Sequence, residues 1–304
     1  MIINKTGRAT DSLYITGFTW SPAYLVIVKT AVLFEAGFSC MGKLYERDIK
    51  KILPNQDPEF LFLTHVHYDH CGAASYLKKR FPNLKICASQ RAREIIQRTN
   101  ALGLMSSLSQ YAMPLIAKLP EINKEELLTE PFQPFDIDIV FHEEQVININ
   151  DELSVQVFIT PGHTRDMLSY YIPERKILIA TESAGCLGRN NRIVSEFLVD
   201  YDAYIKTLKR FSTLDIETFC QGHHFVFTGD DVQSFFANSL HTAESFKKHV
   251  DELLDREKGS IDRVVGTIKA EEYDTNQGVK QPERAYLLNL KTQITHLAAM
   301  RNRL

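Results

Sequence analysis

The chain has 304 residues, of which 44% are apolar and 24% are charged, so it is long enough to bury a sizeable core and its composition excludes wholesale disorder. A formal net charge of −3 gives no global argument for binding nucleic acid or a membrane surface. The first sixteen residues lack a basic head followed by an apolar core, and the five cysteines are odd in number and form no CxxC pair. We therefore expect a cytoplasmic protein with reduced thiols.

The first half of the chain alternates β-rich runs with helical segments, a pattern that predicts an α/β fold. We predict, in order, strands at 13–15, 23–28 and 31–35, a helix at 46–53, a strand at 59–64, a helix at 73–80 and a strand at 85–88. The run at 59–64 is continuously apolar, as expected for a strand that is covered on both faces.

Residues 94–128 differ from this pattern, because they are rich in Leu, Met, Ala and Ser and read as helices broken by Pro114 and Pro120. One interpretation is simply helices packed on a sheet. The other is a movable cover whose apolar side chains line a substrate pocket, namely Leu102, Leu104, Met105, Met113 and Ile116.

The second half returns to strands and then becomes helical. Predicted strands cover 153–159, 167–172, 176–180 and 217–221, and predicted helices cover 230–256, 260–268 and 282–301. Asp230 is the expected N-cap of the first of these helices. The last helix carries an apolar stripe of Leu287, Leu290, Ile294 and Leu297. We expect a hydrolase domain at 1–229 and a helical extension at 230–304 that serves as a lid, a homodimer face or both.

A histidine–aspartate cluster directly follows the apolar run at 59–64. His65 and His67 are two residues apart, so in extended chain they point to the same side and can reach one metal ion. Asp69 and His70 are offset toward a second position. Nitrogen ligands with one hard oxygen suit a first-row transition metal. Chance histidines in a polar loop are the alternative, which four ligand-type residues in six positions disfavour.

Residues 64–72 (THVHYDHCG) resemble the signature of the metallo-β-lactamase superfamily. Two further motifs agree with this resemblance, Pro-Gly-His-Thr at 161–164 and Gly-His at 222–223, and the order holds over about residues 10–230. The resemblance implies a four-layer αβ/βα sandwich with two metal ions at one edge of the paired sheets. Asp166, close to the second motif, could orient a ligand histidine or simply belong to a turn.

The resemblance also implies a role for each residue of these motifs. His65, His67 and His163 would hold the first metal, and Asp69, His70 and His223 the second. The bridging carboxylate of the family usually stands in a Gly-Asp pair, whereas this chain has Thr181-Glu182. Glu182 could bridge both metals, bind one of them, or leave the second position weaker. The implied cofactor is a pair of divalent transition metals, and the ligand types suit zinc, iron or manganese alike.

The implied activity is hydrolysis of an acyl thioester (acyl-CoA-like) or an aryl ester. Two metals that share a water lower its pKa from about 16 toward about 7, so a metal-bound hydroxide can attack, with Asp69 and His70 as the catalytic residues. Residues 11–53 and 63–89 resemble a thioesterase branch that acts on 2-aminobenzoylacetyl-CoA in alkylquinolone synthesis and also serves as a quorum-sensing effector. This implies secondary metabolism. The Leu- and Met-rich segment 102–116 and Phe197 suggest an apolar or aromatic acyl group, with Met105, Met113 and Phe197 as candidate substrate-binding residues.

A second hypothesis from the same resemblance is a regulatory effector that acts by protein–protein contact and keeps the metal site mainly for structure. The extension carries basic residues that could form such a contact face, or that could simply be a solvated helical surface. These residues are Lys247, Lys248, Arg256, Arg263, Arg284, Arg301 and Arg303.

Overall fold

The computed structural model of the chain describes residues 1–188, 191–277 and 280–301. Its strands, in chain order, are β1 (Ile2–Ile3), β2 (Gly7–Arg8), β3 (Leu13–Phe18), β4 (Ser21–Val28), β5 (Thr30–Phe34), β6 (Phe60–Phe62), β7 (Lys85–Ser89), β8 (Ile139–Phe141), β9 (Gln145–Asn150), β10 (Leu153–Ile159), β11 (Leu168–Ile172), β12 (Ile177–Ile179), β13 (Cys186–Leu187), β14 (Ile193–Val194), β15 (Thr218–Cys220) and β16 (Val226–Thr228). Its α-helices are α1 (Gly42–Ile52), α2 (Ala74–Arg80), α3 (Gln90–Ile95), α4 (Thr99–Ile116), α5 (Tyr201–Phe211), α6 (Asp230–Arg256), α7 (Ile261–Ile268) and α8 (Glu283–Arg301), and a π-helical segment covers Lys269–Asp274.

The strands form two seven-stranded sheets and a short two-stranded ribbon. The first sheet has the order β2-β3-β4-β5-β6-β7-β8, and its strands β5 to β8 are parallel. The second has the order β1-β16-β15-β12-β11-β10-β9. Because β10 and β12 are each antiparallel to β11, and β12 is parallel to β15, the strands β10, β12 and β15 all end at one edge of this sheet.

Three apolar clusters show how the layers pack. One lies between the sheets, where Tyr24 and Phe34 of the first meet Tyr170 and Ile179 of the second. A second cluster joins the first sheet to α1 and α2, and a third joins the second sheet to α5 and α6. The order helix, sheet, sheet, helix confirms the predicted αβ/βα sandwich.

Most predicted elements are present, with bounds that shift by a few residues. The predicted strand at 153–159 and the predicted helix at 230–256 have the bounds of β10 and α6. The predicted N-cap was wrong: Gly229 occupies that position without a side-chain hydrogen bond, and Asp230 is the first helical residue. Its carboxylate still lies in the first helical turn, where the helix dipole favours negative charge.

The last helix packs within the chain. Leu290, Ile294 and Leu297 of α8 are buried in the same cluster as residues of α6 and α7, and Leu287 is half-buried. The apolar stripe therefore packs against helices of this chain's own extension and is not left open for a partner. Within the described residues, no helix combines the length and the apolar character needed to cross a bilayer.

Candidate metal centre

Four loops bring ligand-type side chains together at the edge where strands of both sheets end. The loop after β6 carries His65, His67, Asp69 and His70, and the other three loops follow β10, β12 and β15. Those loops supply His163, Glu182 and His223. The loop after β6 is tied to the second sheet, because the Leu168 amide donates to the Thr64 carbonyl at 2.8 Å. Parallel alignment of strand ends is what makes residues so distant in sequence neighbours.

His65, His67 and His163 form the first group, with one ligand atom from each lying within 4.8 Å of the others. His163 Nε2 is 3.2 Å from His67 Nδ1. Burial, followed by repulsion from neighbouring histidines, lowers the pKa of His65, and burial followed by the influence of His67 lowers the pKa of His163 to about 3. Rings that stay neutral keep a lone pair free, as metal ligation requires.

Asp69, His70 and His223 form the second group, again with ligand atoms within 4.8 Å of one another. His223 Nε2 is 4.0 Å from the Asp69 carboxylate. Glu35 lies behind this group, and its carboxylate accepts from His70 Nδ1 at 2.6 Å and from the Thr64 amide at 2.7 Å. Burial raises the pKa of Glu35 against the opposing effect of His70.

Glu182 lies between the two groups. One of its oxygens, Oε1, is 3.1 Å from both His70 Nε2 and His223 Nε2, and the other, Oε2, is 3.8 Å from His65 Nε2. Although burial acts to raise the pKa of Glu182, the charge and hydrogen bond of His70 hold it well below its usual range. A Cβ on Gly222 would collide with Glu182 Oε1, so the glycine of the Gly-His motif leaves the space that the longer acidic side chain fills.

Thr181 occupies the position where the family pattern has glycine, and it adopts a left-handed backbone conformation with φ of 44°. This conformation is strained for a β-branched residue. Thr181 Oγ1 is 3.0 Å from Thr64 Oγ1, which is in turn 3.0 Å from His65 Nδ1. The strained residue thus completes a chain of hydroxyls that orients a histidine ring.

Four of the five histidines are anchored through Nδ1 and present Nε2 to the centre. The anchor of His65 is the Thr64 hydroxyl, that of His70 is the Glu35 carboxylate, that of His163 is the Glu196 carbonyl, and that of His223 is the Trp20 carbonyl. Such partners fix the tautomer and the orientation of a metal-ligating histidine. The fifth ring, His67, presents Nδ1 instead.

The donor set fits divalent metal ions. Among the described residues, His65 Nε2 and Glu182 Oε2 are buried polar atoms without a hydrogen-bond partner, and both point at the space between the groups. Leaving such atoms unsatisfied costs free energy that a bound cation would recover. Imidazole nitrogens with carboxylate oxygens suit zinc, iron and manganese, so the ligands alone do not select among them.

A cavity of about 680 Å³ opens from the centre toward the helical extension. Aromatic side chains of Trp20, Phe38 and Tyr68 line it beside the histidines, and Ala112, Leu115 and Ile116 of α4 contribute to its wall. The carboxylate of Glu196 also lines it, and burial raises the pKa of that group to about 8. A cavity of this size is typical of sites for small organic ligands.

The structure brings the seven predicted metal ligands into one centre but does not place the three predicted substrate contacts at the cavity. Met105 and Met113 lie on the face of α4 that packs against the core, and Phe197 is fully buried beneath the extension. Of the apolar residues expected to line a pocket, Ile116 does so. The face that α4 turns inward depends on tertiary packing, which the spacing of its apolar residues does not determine.

Two carboxylates outside the ligand motifs support the centre. Glu35 is absent from the sequence-based prediction. The sequence did contain a signal for it, since a carboxylate at the end of the buried run at 31–35 needs a partner. Among the described residues, the carboxylate of Asp166 forms no hydrogen bond to a ligand ring, although its charge acts on His67. It accepts from the Val66 amide at 2.9 Å and so holds the backbone between two of the histidines.

Comparison with known proteins gives concordant results. A family model described as the metallo-beta-lactamase superfamily matches residues 18–223. Among curated proteins, "Glyoxylase B2" from Dictyostelium discoideum is 29% identical over 143 residues, which are 45% of this chain and 41% of that protein. The chain thus aligns with less than half the length of this relative.

Solved structures resemble the chain over nearly its whole length. An archaeal metallo-beta-lactamase superfamily protein from Sulfolobus tokodaii superposes with a TM-score of 0.58 at 15% identity, covering 95% of this chain and 99% of that one. The stereoselective inverting sec-alkylsulfatase Pisa1 from Pseudomonas sp. superposes with a TM-score of 0.62 at 12% identity, covering 96% of this chain and 50% of that one. At these identities the likeness concerns the fold alone.

Proposed function

The chain belongs to the metallo-beta-lactamase superfamily. From that membership and the geometry of the centre, we propose that it is a dinuclear metal-dependent hydrolase. Its proposed substrate is an acyl thioester, with an aryl ester as the second choice. The observation that carries the proposal is the position of Glu182 between two groups of ligand atoms, with one carboxylate oxygen facing each group. A carboxylate so placed can bridge two cations, and the extra methylene of Glu relative to Asp is accommodated above Gly222.

Each side chain of the centre has a distinct task in this proposal. His65, His67 and His163 would hold one cation, and Asp69, His70 and His223 the other. The bound cations would supply an acidified water and a positive charge that stabilises a developing oxyanion. Asp69 is half-buried at the cavity wall, and its carboxylate would also accept a hydrogen bond from the attacking water.

The choice of a thioester rests on the leaving group and on the likeness to a protein named as a glyoxylase. A thiolate with a pKa of about 8.5 leaves without a strong general acid. The aromatic side chains of Trp20, Phe38 and Tyr68 beside the histidines favour an aromatic or other apolar acyl group. With the resemblance of residues 11–53 and 63–89 to an alkylquinolone-pathway thioesterase, this supports a role in secondary metabolism. Five buried, unpaired cysteines support a cytoplasmic location.

The alternative, a regulatory effector, finds less support in the surface of the extension. Five of the seven basic side chains that could form a contact face form ion pairs with acidic neighbours of the same extension; Arg284 forms none with a described residue, and Arg303 lies outside the described residues. The paired residues are Lys247, Lys248, Arg256, Arg263 and Arg301. These side chains would have to give up their contacts within the chain to bind an acidic partner.

Metal content and turnover, measured together, test the proposal. Protein purified without chelator is expected to hold about two metal ions per chain and to hydrolyse members of a panel of aroyl-, β-ketoacyl- and acyl-CoA thioesters and aryl esters. Asp69→Ala should lose turnover and one metal ion, whereas His241→Ala, which removes an exposed histidine from α6, should lose neither. Less than one metal ion per chain together with no turnover on thioesters or esters would overturn the proposal and favour the effector hypothesis.

A further inference from the structure

The cavity has two chemically different ends. Its inner end holds the histidines and aromatic rings, whereas its outer end lies between the π-helical segment, the start of α8 and the ribbon of β13 and β14. The outer end is lined by polar side chains, among them Tyr273, Lys280, Tyr286 and Asn289. A ligand that fills the cavity therefore meets an apolar wall at one end and hydrogen-bonding groups at the other.

The outer end carries an excess of positive charge. Two of its basic groups have acidic neighbours, because Arg192 acts electrostatically on Glu272 and His249 pairs with Glu271 at 2.8 Å. Lys280 is the third basic side chain of the outer end, and none of the described residues forms an ion pair with it. Its ammonium lies 4.8 Å from the centre of the Tyr273 ring, a contact that positions the charge without neutralising it.

A tyrosine pair stands beside this charge. The rings of Tyr273 and Tyr286 lie 4.5 Å apart at an angle of 31°, so they form one aromatic wall. The Tyr286 hydroxyl is buried and has no hydrogen-bond partner among the described residues. Buried hydroxyls in proteins normally form a hydrogen bond. Since the Tyr286 hydroxyl forms none with a described residue, it can donate one to a ligand atom in the cavity.

We propose that Lys280 and the Tyr286 hydroxyl, together with Asn289, form a subsite for an anionic group on the thiol portion of the substrate, remote from the bond that is cleaved. This inference rests on the proposed function, because it assigns the inner end of the cavity to the acyl group and the outer end to the leaving thiol. The shared chemistry is a carboxylate or phosphate that accepts hydrogen bonds from an ammonium and a phenol. A glutathione-type thiol would supply a carboxylate and a coenzyme A-type thiol a phosphate.

Binding of non-hydrolysable ligands to the full chain, as purified, separates this subsite from catalysis. We would titrate S-methylglutathione, S-methyl-coenzyme A and neutral S-methyl-N-acetylcysteamine by isothermal calorimetry, since thioethers neither react nor present a thiolate to a metal. At least one of the two anionic ligands should bind at least about tenfold more tightly than the neutral ligand. Whichever anionic ligand does so shows whether the subsite takes a carboxylate or a phosphate. Equal affinity for all three ligands, or no detectable binding of any of them, would overturn the inference.

Two variants and a control assign the effect to the named groups. Lys280→Glu should remove the preference for the anionic ligand, and Tyr286→Phe, which deletes only the hydroxyl, should weaken it while leaving the fold intact. Lys258→Glu is the matched control, because Lys258 is exposed on the same extension, does not line the cavity and forms no ion pair among the described residues. An equal loss in the control would show a general charge effect and overturn the inference.

Hydrolysis of a neutral N-acetylcysteamine thioester distinguishes failure of the subsite from failure of the proposed function. Turnover of this thioester without any preference for anionic ligands would leave the hydrolase standing and overturn the subsite. Anion-selective binding that depends on Lys280, without turnover of any thioester, would support the subsite and overturn the proposed function.

Discussion

Replacing Glu35 by Gln should weaken metal binding without unfolding the protein. Glu35 is 1% exposed, and its carboxylate accepts from His70 Nδ1 at 2.6 Å and from the Thr64 amide at 2.7 Å. Glutamine retains one acceptor for Thr64 but can turn its NH₂ group toward His70, which favours the tautomer with hydrogen on Nε2, the atom that must ligate. Losing a charge-assisted hydrogen bond costs about 1.5–3 kcal/mol. At about 1.4 kcal/mol per tenfold, metal affinity should fall about 10- to 100-fold.

Competition with a chromophoric chelator measures this loss directly, with zinc as the probe ion. Glu272→Gln is the matched control, because Glu272 lines the outer end of the same cavity and no histidine of the metal centre is among the groups that act on its carboxylate. The expected pattern is one weakened ion in Glu35→Gln, none in the control, and similar urea midpoints for all three proteins. Wild-type affinity for both ions in Glu35→Gln, or an equal loss in the control, would refute the reasoning.

Three further predictions concern the same centre. Thr181→Gly should be more stable than Thr181→Val by about 1 kcal/mol in urea unfolding, because glycine relieves the left-handed strain whereas valine keeps the strain and both lose the hydroxyl. Gly222→Ala should displace the Glu182 carboxylate and lower metal content on dialysis, and unchanged metal content would argue against the bridge. In protein stripped of metal by a chelator, folding lowers the pKa of His163 to about 3 from about 6.5 in the unfolded chain. The contribution of His163 to the free energy of unfolding is therefore complete above pH 6.5 and is lost as the pH falls toward 3. His163→Gln should therefore reduce the slope of stability against pH in that window by about one proton, and an unchanged slope would contradict this.

The sequence points to the candidate centre because its ligand-type residues lie in short motifs at strand ends. Strand runs and the residues that immediately follow them are local features, so the sequence alone suffices to place His65, His163 and His223 in loops at strand ends. What joins the loops is the order of strands in two sheets, and the family resemblance rather than periodicity supplied that order. The fold class was confirmed on this basis.

Features that depend on long-range packing were harder to predict. The strand β9 and the helix α5 were not predicted, although Ile147 and Ile149 of β9 alternate with two asparagines and pack against the core between the sheets. Glu35 precedes its partner His70 by 35 positions, a distance over which no spacing rule applies. The rotation of α4 is likewise set by its neighbours, which is why Ile116 lines the cavity and Met105 does not.

The chain contains a single tryptophan, and its placement makes the centre optically observable. The Trp20 carbonyl holds His223, while the indole ring lines the cavity and meets the His224 ring edge-on at 5.7 Å. Emission from this one fluorophore should therefore respond to metal loading without an added dye. Because zinc is a closed-shell d¹⁰ ion, whereas iron and manganese have unpaired electrons that quench fluorescence, the sign and depth of the change would distinguish zinc from either of the other two metals.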